Sequence, residues 1–158
     1  MTIDYITEPA GTDYVTEPVV RAERLIKDFA TGDSSFRALD DVSVEIHRGE
    51  MVAIMGPSGS GKSTLMTLLG LLDSPSSGNY YLDGQDVGQL GRFEQARVRN
   101  AKIGFVFQNF NLLPRLSALK NVELPLVYAR TDAREREQRA RAALEAVGLG
   151  DKLGNRPN

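Results

Sequence analysis

An α/β fold carrying a small antiparallel β subdomain is what the sequence predicts, and three observations predict it. The unbroken apolar run Met51-Val52-Ala53-Ile54-Met55 reads as a short strand buried on both faces. A glycine-rich loop follows it, Gly56-Pro57-Ser58-Gly59-Ser60-Gly61, and then a leucine- and methionine-rich stretch from Lys62 without Gly or Pro, which reads as a helix. Upstream, residues 19–29 and 38–46 read as two antiparallel strands about a turn at Gly32-Asp33-Ser34-Ser35, the second showing the alternation Val42, Val44, Ile46.

Residues 56–64 match the pattern GxxxxGK[ST] in the strand–loop–helix setting that gives the pattern meaning. A polyphosphate is wrapped closely by backbone N–H groups rather than by bulky side chains, so Gly56, Gly59 and Gly61 let the main chain approach. The new helix turns its free N–H groups and positive dipole end on the same anion. The chemistry then predicts Lys62 on the β- and γ-phosphates, Ser63 on Mg²⁺ and Thr64 on a phosphate oxygen near the α position.

Composition narrows the remaining classes. The 158 residues suit one domain, and a formal net charge of −2 supplies no basic field for a nucleic-acid partner. The absence of cysteine excludes disulfides and thiolate metal sites, and a single histidine, His47, excludes a histidine cluster. No apolar run approaches the ~18 residues of a membrane span and the start lacks a signal sequence, so a cytoplasmic chain is expected.

The N-terminus holds a short repeat: Asp4-Tyr5-Ile6-Thr7-Glu8-Pro9 recurs as Asp13-Tyr14-Val15-Thr16-Glu17-Pro18. The first twenty residues carry no Lys or Arg, and residues 1–18 are expected to be a disordered acidic tail ahead of a domain over 19–158. In the first strand Phe29 is the only aromatic residue, which makes it a candidate for stacking on adenine or, equally, a core side chain.

Beyond the first helix, Asp73 to Gly78 reads as a loop and Asn79 to Val87 as a strand, a tight turn at Asp83-Gly84 and a short return. Residues 90–99 read as a polar helix with Leu90 and Phe93 on one side. Ile103-Gly104-Phe105-Val106-Phe107 reads as a second buried strand ending at Gln108, the place where an α/β sheet offers ligand contacts. Asn109-Phe110-Asn111-Leu112-Leu113-Pro114 reads as a loop. Ser117 is expected to cap a helix toward Tyr128 that Pro125 interrupts. The last helix, residues 132–147, places Ala133, Ala140, Ala143, Leu144 and Val147 on one stripe. Its arginines are interleaved with acids, as on a solvated face.

Together these motifs resemble the ATP-binding subunit of ABC transporters. The resemblance is carried by residues 56–64 as the Walker A loop, Phe105-Val106-Phe107-Gln108 as the Q-loop, and Phe29 at the adenine-stacking position. Three phrases, Gly49-Glu50-Met51-Val52-Ala53-Ile54, Gly84-Gln85-Asp86-Val87 and Asn121-Val122-Glu123-Leu124-Pro125-Leu126, resemble the macrolide-export and lipoprotein-release group. The resemblance covers residues 19–157 and implies an ABC-type P-loop NTPase core. It further implies ATP and Mg²⁺ as cofactors, with Gln108 joining Ser63 in the Mg²⁺ and water region. Residues 108–114 would face a transmembrane permease subunit, and a second ATP-binding subunit would complete a sandwich dimer on the inner face of the membrane. Phe29 stands where the family usually has tyrosine.

The family's LSGGQ signature, Walker B strand with its catalytic glutamate, and switch histidine do not occur in these 158 residues. The sequence is therefore expected to be the front part of such a domain, C-terminally incomplete, binding ATP without hydrolysing it. A stand-alone, non-catalytic regulatory nucleotide-binding module is the alternative. A GTPase or nucleoside kinase fits less well, since there is no [NT]KxD motif and no lid-like Gly/Pro flank.

Overall fold

The computed structural model describes residues 4–8, 17–32 and 34–158. Asp4–Glu8 form β1, inside the stretch expected as an unstructured tail, and β1 pairs antiparallel with Met51–Met55 (β4), Asp4 opposite Met55 and Glu8 opposite Met51. The core of β1, Tyr5-Ile6-Thr7, is made of strand-favouring residue types, which the acidic flanks conceal. Of the second repeat copy, Asp13 to Thr16 lie outside the described residues.

The expected hairpin is formed by Val20–Thr31 (β2) and Ser34–Ile46 (β3). Ser77–Leu82 (β5) adds to the other edge of β2, and Gln85–Asp86 (β6) returns on β5 through the Asp83-Gly84 turn. The four strands make an antiparallel sheet in the order β3-β2-β5-β6. β2 is irregular between Ala22 and Leu25, where Arg24 takes φ 49° and its N–H donates to Ser43 Oγ at 2.9 Å. A bulge of this kind sharpens local twist while leaving Ala22 and Leu25 in the core.

Lys62–Leu69 form α1. Its Leu65 and Leu68 are buried, as are Leu25, Leu39 and Val44 of the sheet. Tyr80 is sealed among the buried residues and its hydroxyl donates to Leu69 O at 2.7 Å, tying β5 to the end of α1. Burial pushes the Tyr80 phenol up to about 12.

The chain divides into two units, Met1–Ala96 and Arg97–Asn158, with Arg92–Lys102 (α2) running across the division. In the second unit Ala118–Tyr128 (α3) packs on Ala133–Ala146 (α4), with a 3₁₀ turn at Gly150–Lys152. Ser117 caps α3, Asp132 caps α4, and Gly148 at φ 74° follows its end.

Several expectations are corrected. β4 is not buried on both faces: Met51 is 80% exposed, Ala53 and Met55 are exposed, and only Val52 and Ile54 are half-covered. Burial on two faces requires a strand on each edge and a layer on each side, and among the described residues β1 is the only strand paired with β4. Residues 103–107 form no strand, and Val106 is fully exposed, because no ladder satisfies their backbone groups among the described residues. Pro125 does not interrupt α3; the N–H of Ala129 closes on Pro125 O at 3.0 Å. On α2 the buried side chain is Gln95 while Phe93 is exposed, and on α4 only Ala140 and Leu144 of the expected stripe are buried.

Candidate functional site

The loop between β4 and α1 turns on backbone conformations that L side chains rarely adopt, with φ 78° at Gly59 and 86° at Gly61. These two glycines meet different surroundings. A Cβ on Gly59 would stand in open space, whereas one on Gly61 would lie 2.5 Å from Ala38 O and 2.8 Å from Leu39 Cδ2. The start of α1 is thus pressed against β3.

Gly61 is the N-cap of α1 and no side chain caps the helix. The first intrahelical bond runs from Leu65 N to Gly61 O at 2.8 Å, so the N–H groups of Lys62, Ser63 and Thr64 precede it. Three uncapped amides at a positive dipole end form a binding surface for an anion.

Lys62 folds back across the loop, its Nζ donating to Gly56 O at 2.8 Å and Pro57 O at 2.7 Å. It is the only charged residue in 56–64, so nothing in the loop offsets its cation. Pro57 and Ser58 form the exposed rim, Ser63 is exposed and Thr64 half-buried. Ser60 is 2% exposed, its N–H closing on Pro57 O at 3.2 Å while its Oγ has no hydrogen-bond partner among the described residues.

The donor set fits a nucleotide triphosphate with Mg²⁺. Amides and one ammonium suit the phosphates. Among the described residues no group of three or more His, Cys, Asp or Glu could hold a metal ion.

Phe29 lies near the end of β2, 42% exposed, opposite Phe36 of β3. Opposed residues share a face, so two exposed aromatic side chains stand together, and Phe36 is two residues along β3 from Ala38, about 7 Å. Phe36 was not singled out from sequence. Its signal was the hairpin register, which a count of residues across the Gly32 turn could have supplied.

Lys27 Nζ lies over the Phe29 ring, 5.1 Å from its centroid. The same nitrogen pairs with Asp73 at 2.7 Å and donates to Ser74 O at 2.7 Å, in the loop after α1. Gln95 Nε2 holds the same loop through Ser74 Oγ at 2.8 Å. Burial works against the Asp73 carboxylate, but the hydrogen bonds from Lys27 and the Ser74 N–H, with the charges of Lys27 and Arg92, outweigh it and hold the group below its ordinary value.

The structure therefore brings the 56–64 loop and the Phe29 strand into one unit. Gln108 is exposed and belongs to the other unit, in an irregular segment where Phe105 and Phe107 stack at 5.6 Å.

Comparison with known proteins points to one family. The family model described as "ABC transporter" matches residues 39–158. YknY, an uncharacterised ABC transporter ATP-binding protein of Bacillus subtilis (strain 168), is 50% identical over 89% of this chain and 61% of its own length. The macrolide export ATP-binding/permease protein MacB of Brucella abortus (strain 2308) is also 50% identical over 89% of this chain, but over 22% of its own length. The dimeric post-hydrolysis structure of the ATP-binding cassette MJ0796 bound to ADP and Pi superposes with a TM-score of 0.75 at 39% identity, covering 88% of this chain and 62% of that one. The chain thus spans about three fifths of the length of the first of these relatives. Its fold is that of an ABC-type P-loop NTPase with a small antiparallel β subdomain, and the chain belongs to the ABC transporter family.

Proposed function

We propose that this chain binds Mg·ATP as part of an ABC transporter ATPase of the macrolide-export or lipoprotein-release kind. The observation that carries the reading is the uncapped start of α1 beneath a loop whose single charge is Lys62.

The amides of Lys62, Ser63 and Thr64 cradle the phosphates, with Gly56, Pro57, Ser58, Gly59, Ser60 and Gly61 supplying the surrounding loop. Lys62 reaches the β- and γ-phosphates by exchanging carbonyl partners for charge-assisted contacts. Ser63 would hold Mg²⁺ through its hydroxyl, and Phe29 would stack on the adenine. Bound Mg²⁺ would neutralise charge on the phosphates. Gln108 is the residue that the family resemblance assigns to the metal and water region. Residues 108–114, which include the exposed Phe110, Leu112 and Leu113, dock on a transmembrane permease subunit. A second ATP-binding subunit pairs with the first across the nucleotides.

No helix among the described residues is long and apolar enough to cross a membrane. The proposed location is therefore peripheral, on the inner face, through the permease. We further propose that these residues bind ATP without turning it over, since hydrolysis needs a positioned base as well as a phosphate cradle.

Titration of the 158-residue chain with Mg·ATP tests the reading. Lys62→Ala is expected to weaken binding by about tenfold or more. Equal affinities for the two proteins would remove the basis for the assignment. Steady phosphate release that Lys62→Ala abolishes would overturn the non-hydrolysing part alone.

A further inference from the structure

We propose that Lys27 is a positioning residue for base recognition, holding the Phe29 ring from behind so that its free face receives the purine. The inference rests on the proposal that Phe29 stacks on adenine, and it adds a residue to which no role has been given.

Lys27 is unusual for a lysine on a sheet: it is only 9% exposed. Burying an ammonium is costly unless it is paired. Here it is paired, with the Asp73 carboxylate at 2.7 Å and the Ser74 carbonyl at 2.7 Å. Those contacts fix the nitrogen 5.1 Å from the Phe29 centroid, within cation–π range. Phe29 remains 42% exposed, so surface is left over for a ligand. Lys27 therefore performs two tasks with one charge. It keeps an exposed phenylalanine from rotating freely, and it ties that ring to the Asp73-Ser74 loop, which directly follows the phosphate-binding helix.

Ordering the ring in advance lowers the cost of stacking. The effect should appear with a nucleotide and not with a bare phosphate chain. ATP and inorganic tripolyphosphate are therefore the two probes, titrated against the 158-residue chain with Mg²⁺. Lys27→Met keeps most of the apolar stem, one atom shorter, and removes the charge. It is expected to lower the preference for ATP over tripolyphosphate by about three- to tenfold and to leave tripolyphosphate affinity in place. Lys27→Arg, which restores a cation of similar reach, should recover most of the preference. Phe29→Ala should lower the preference at least as far, and adding Lys27→Met to it should cause no further loss.

Each outcome bears on one claim. If Phe29→Ala leaves the preference unchanged, the stacking proposal fails and the role of Lys27 with it. If Phe29→Ala lowers the preference and Lys27→Met does not, stacking stands and the positioning role is overturned. A parallel loss of ATP and tripolyphosphate affinity in Lys27→Met would mark Lys27 as merely structural, which also overturns the proposal. Should Lys27→Met fail to fold, Asp73→Asn replaces it. That variant keeps the lysine and weakens its anchor, and it is expected to shift the preference in the same direction; an unchanged preference overturns the proposal.

Discussion

The carbonyl oxygen of Ala38 lies 2.5 Å from the point where a Cβ on Gly61 would stand. Gly61 therefore meets two constraints, its positive φ and the backbone of β3, while Gly59 meets only the first. Gly59→Ala should cost about 1–2 kcal/mol for the left-handed conformation. Gly61→Ala should cost about 3 kcal/mol or more, because backbone cannot yield as a flexible side chain does. Chemical denaturation of the two variants checks the order; equal losses would show that β3 does not press on the loop.

Ser60 supplies the opposite case. Its hydroxyl oxygen is enclosed without a partner among the described residues, and an unsatisfied buried polar group costs about 1–3 kcal/mol. Ser60→Ala is expected to raise stability by about 1 kcal/mol, seen as a higher Tm without nucleotide. A lower Tm would mean that the hydroxyl has a partner in solution.

Tyr80 makes stability fall at alkaline pH. In the folded chain its phenol keeps its proton up to about 12, whereas an unfolded tyrosine releases it near 10. Between these values the unfolded state binds fewer protons, so unfolding is favoured as pH rises, by about 2–3 kcal/mol in total. Tyr80→Phe should remove this share of the alkaline loss. At neutral pH it should cost about 1 kcal/mol for the bond to Leu69 O. Melting curves across that range, compared between the two proteins, test both statements.

Asp73 acts at the acid end. Its folded value is held below the ordinary one, so its contribution is present above the unfolded pKa and lost as pH falls through the folded value. Asp73→Asn should therefore flatten the acid limb of a stability–pH profile. An unchanged limb would show that the pair with Lys27 does not persist in solution.

Local patterns were legible in the sequence because local physics sets them. Gly56 to Leu69 carries its own instructions: glycines for positive φ, then a run with nothing to break a helix. Ser117 and Asp132 mark helix starts for the same reason. Val42, Val44 and Ile46 announce a strand through their spacing. What could not be read was what lies beside each strand. Met51–Met55 and residues 103–107 are equally apolar whether or not neighbours cover them, so composition could not report that Met51 and Val106 are exposed. Phe36 was overlooked because its importance lies in what it faces across the hairpin. Gln108 could be recognised as a polar strand-end residue, yet the strand assigned to it does not form.

The β1–β4 pairing also sets a clock. In an antiparallel pair every second residue turns its N–H toward its neighbour, so about half of the β4 amides are covered by β1 and the rest face the other edge. The covering strand lies more than forty positions earlier in the chain, Glu8 opposite Met51. Its release requires no disruption of the four-stranded sheet, since among the described residues β1 pairs with β4 alone. Deuterium uptake at the protected amides of Met51–Met55 should therefore follow the local detachment of β1 and run ahead of uptake at Leu25 or Tyr80, whose exposure awaits global unfolding. The strand that delivers the chain into the phosphate loop thus keeps a different time from the core behind it.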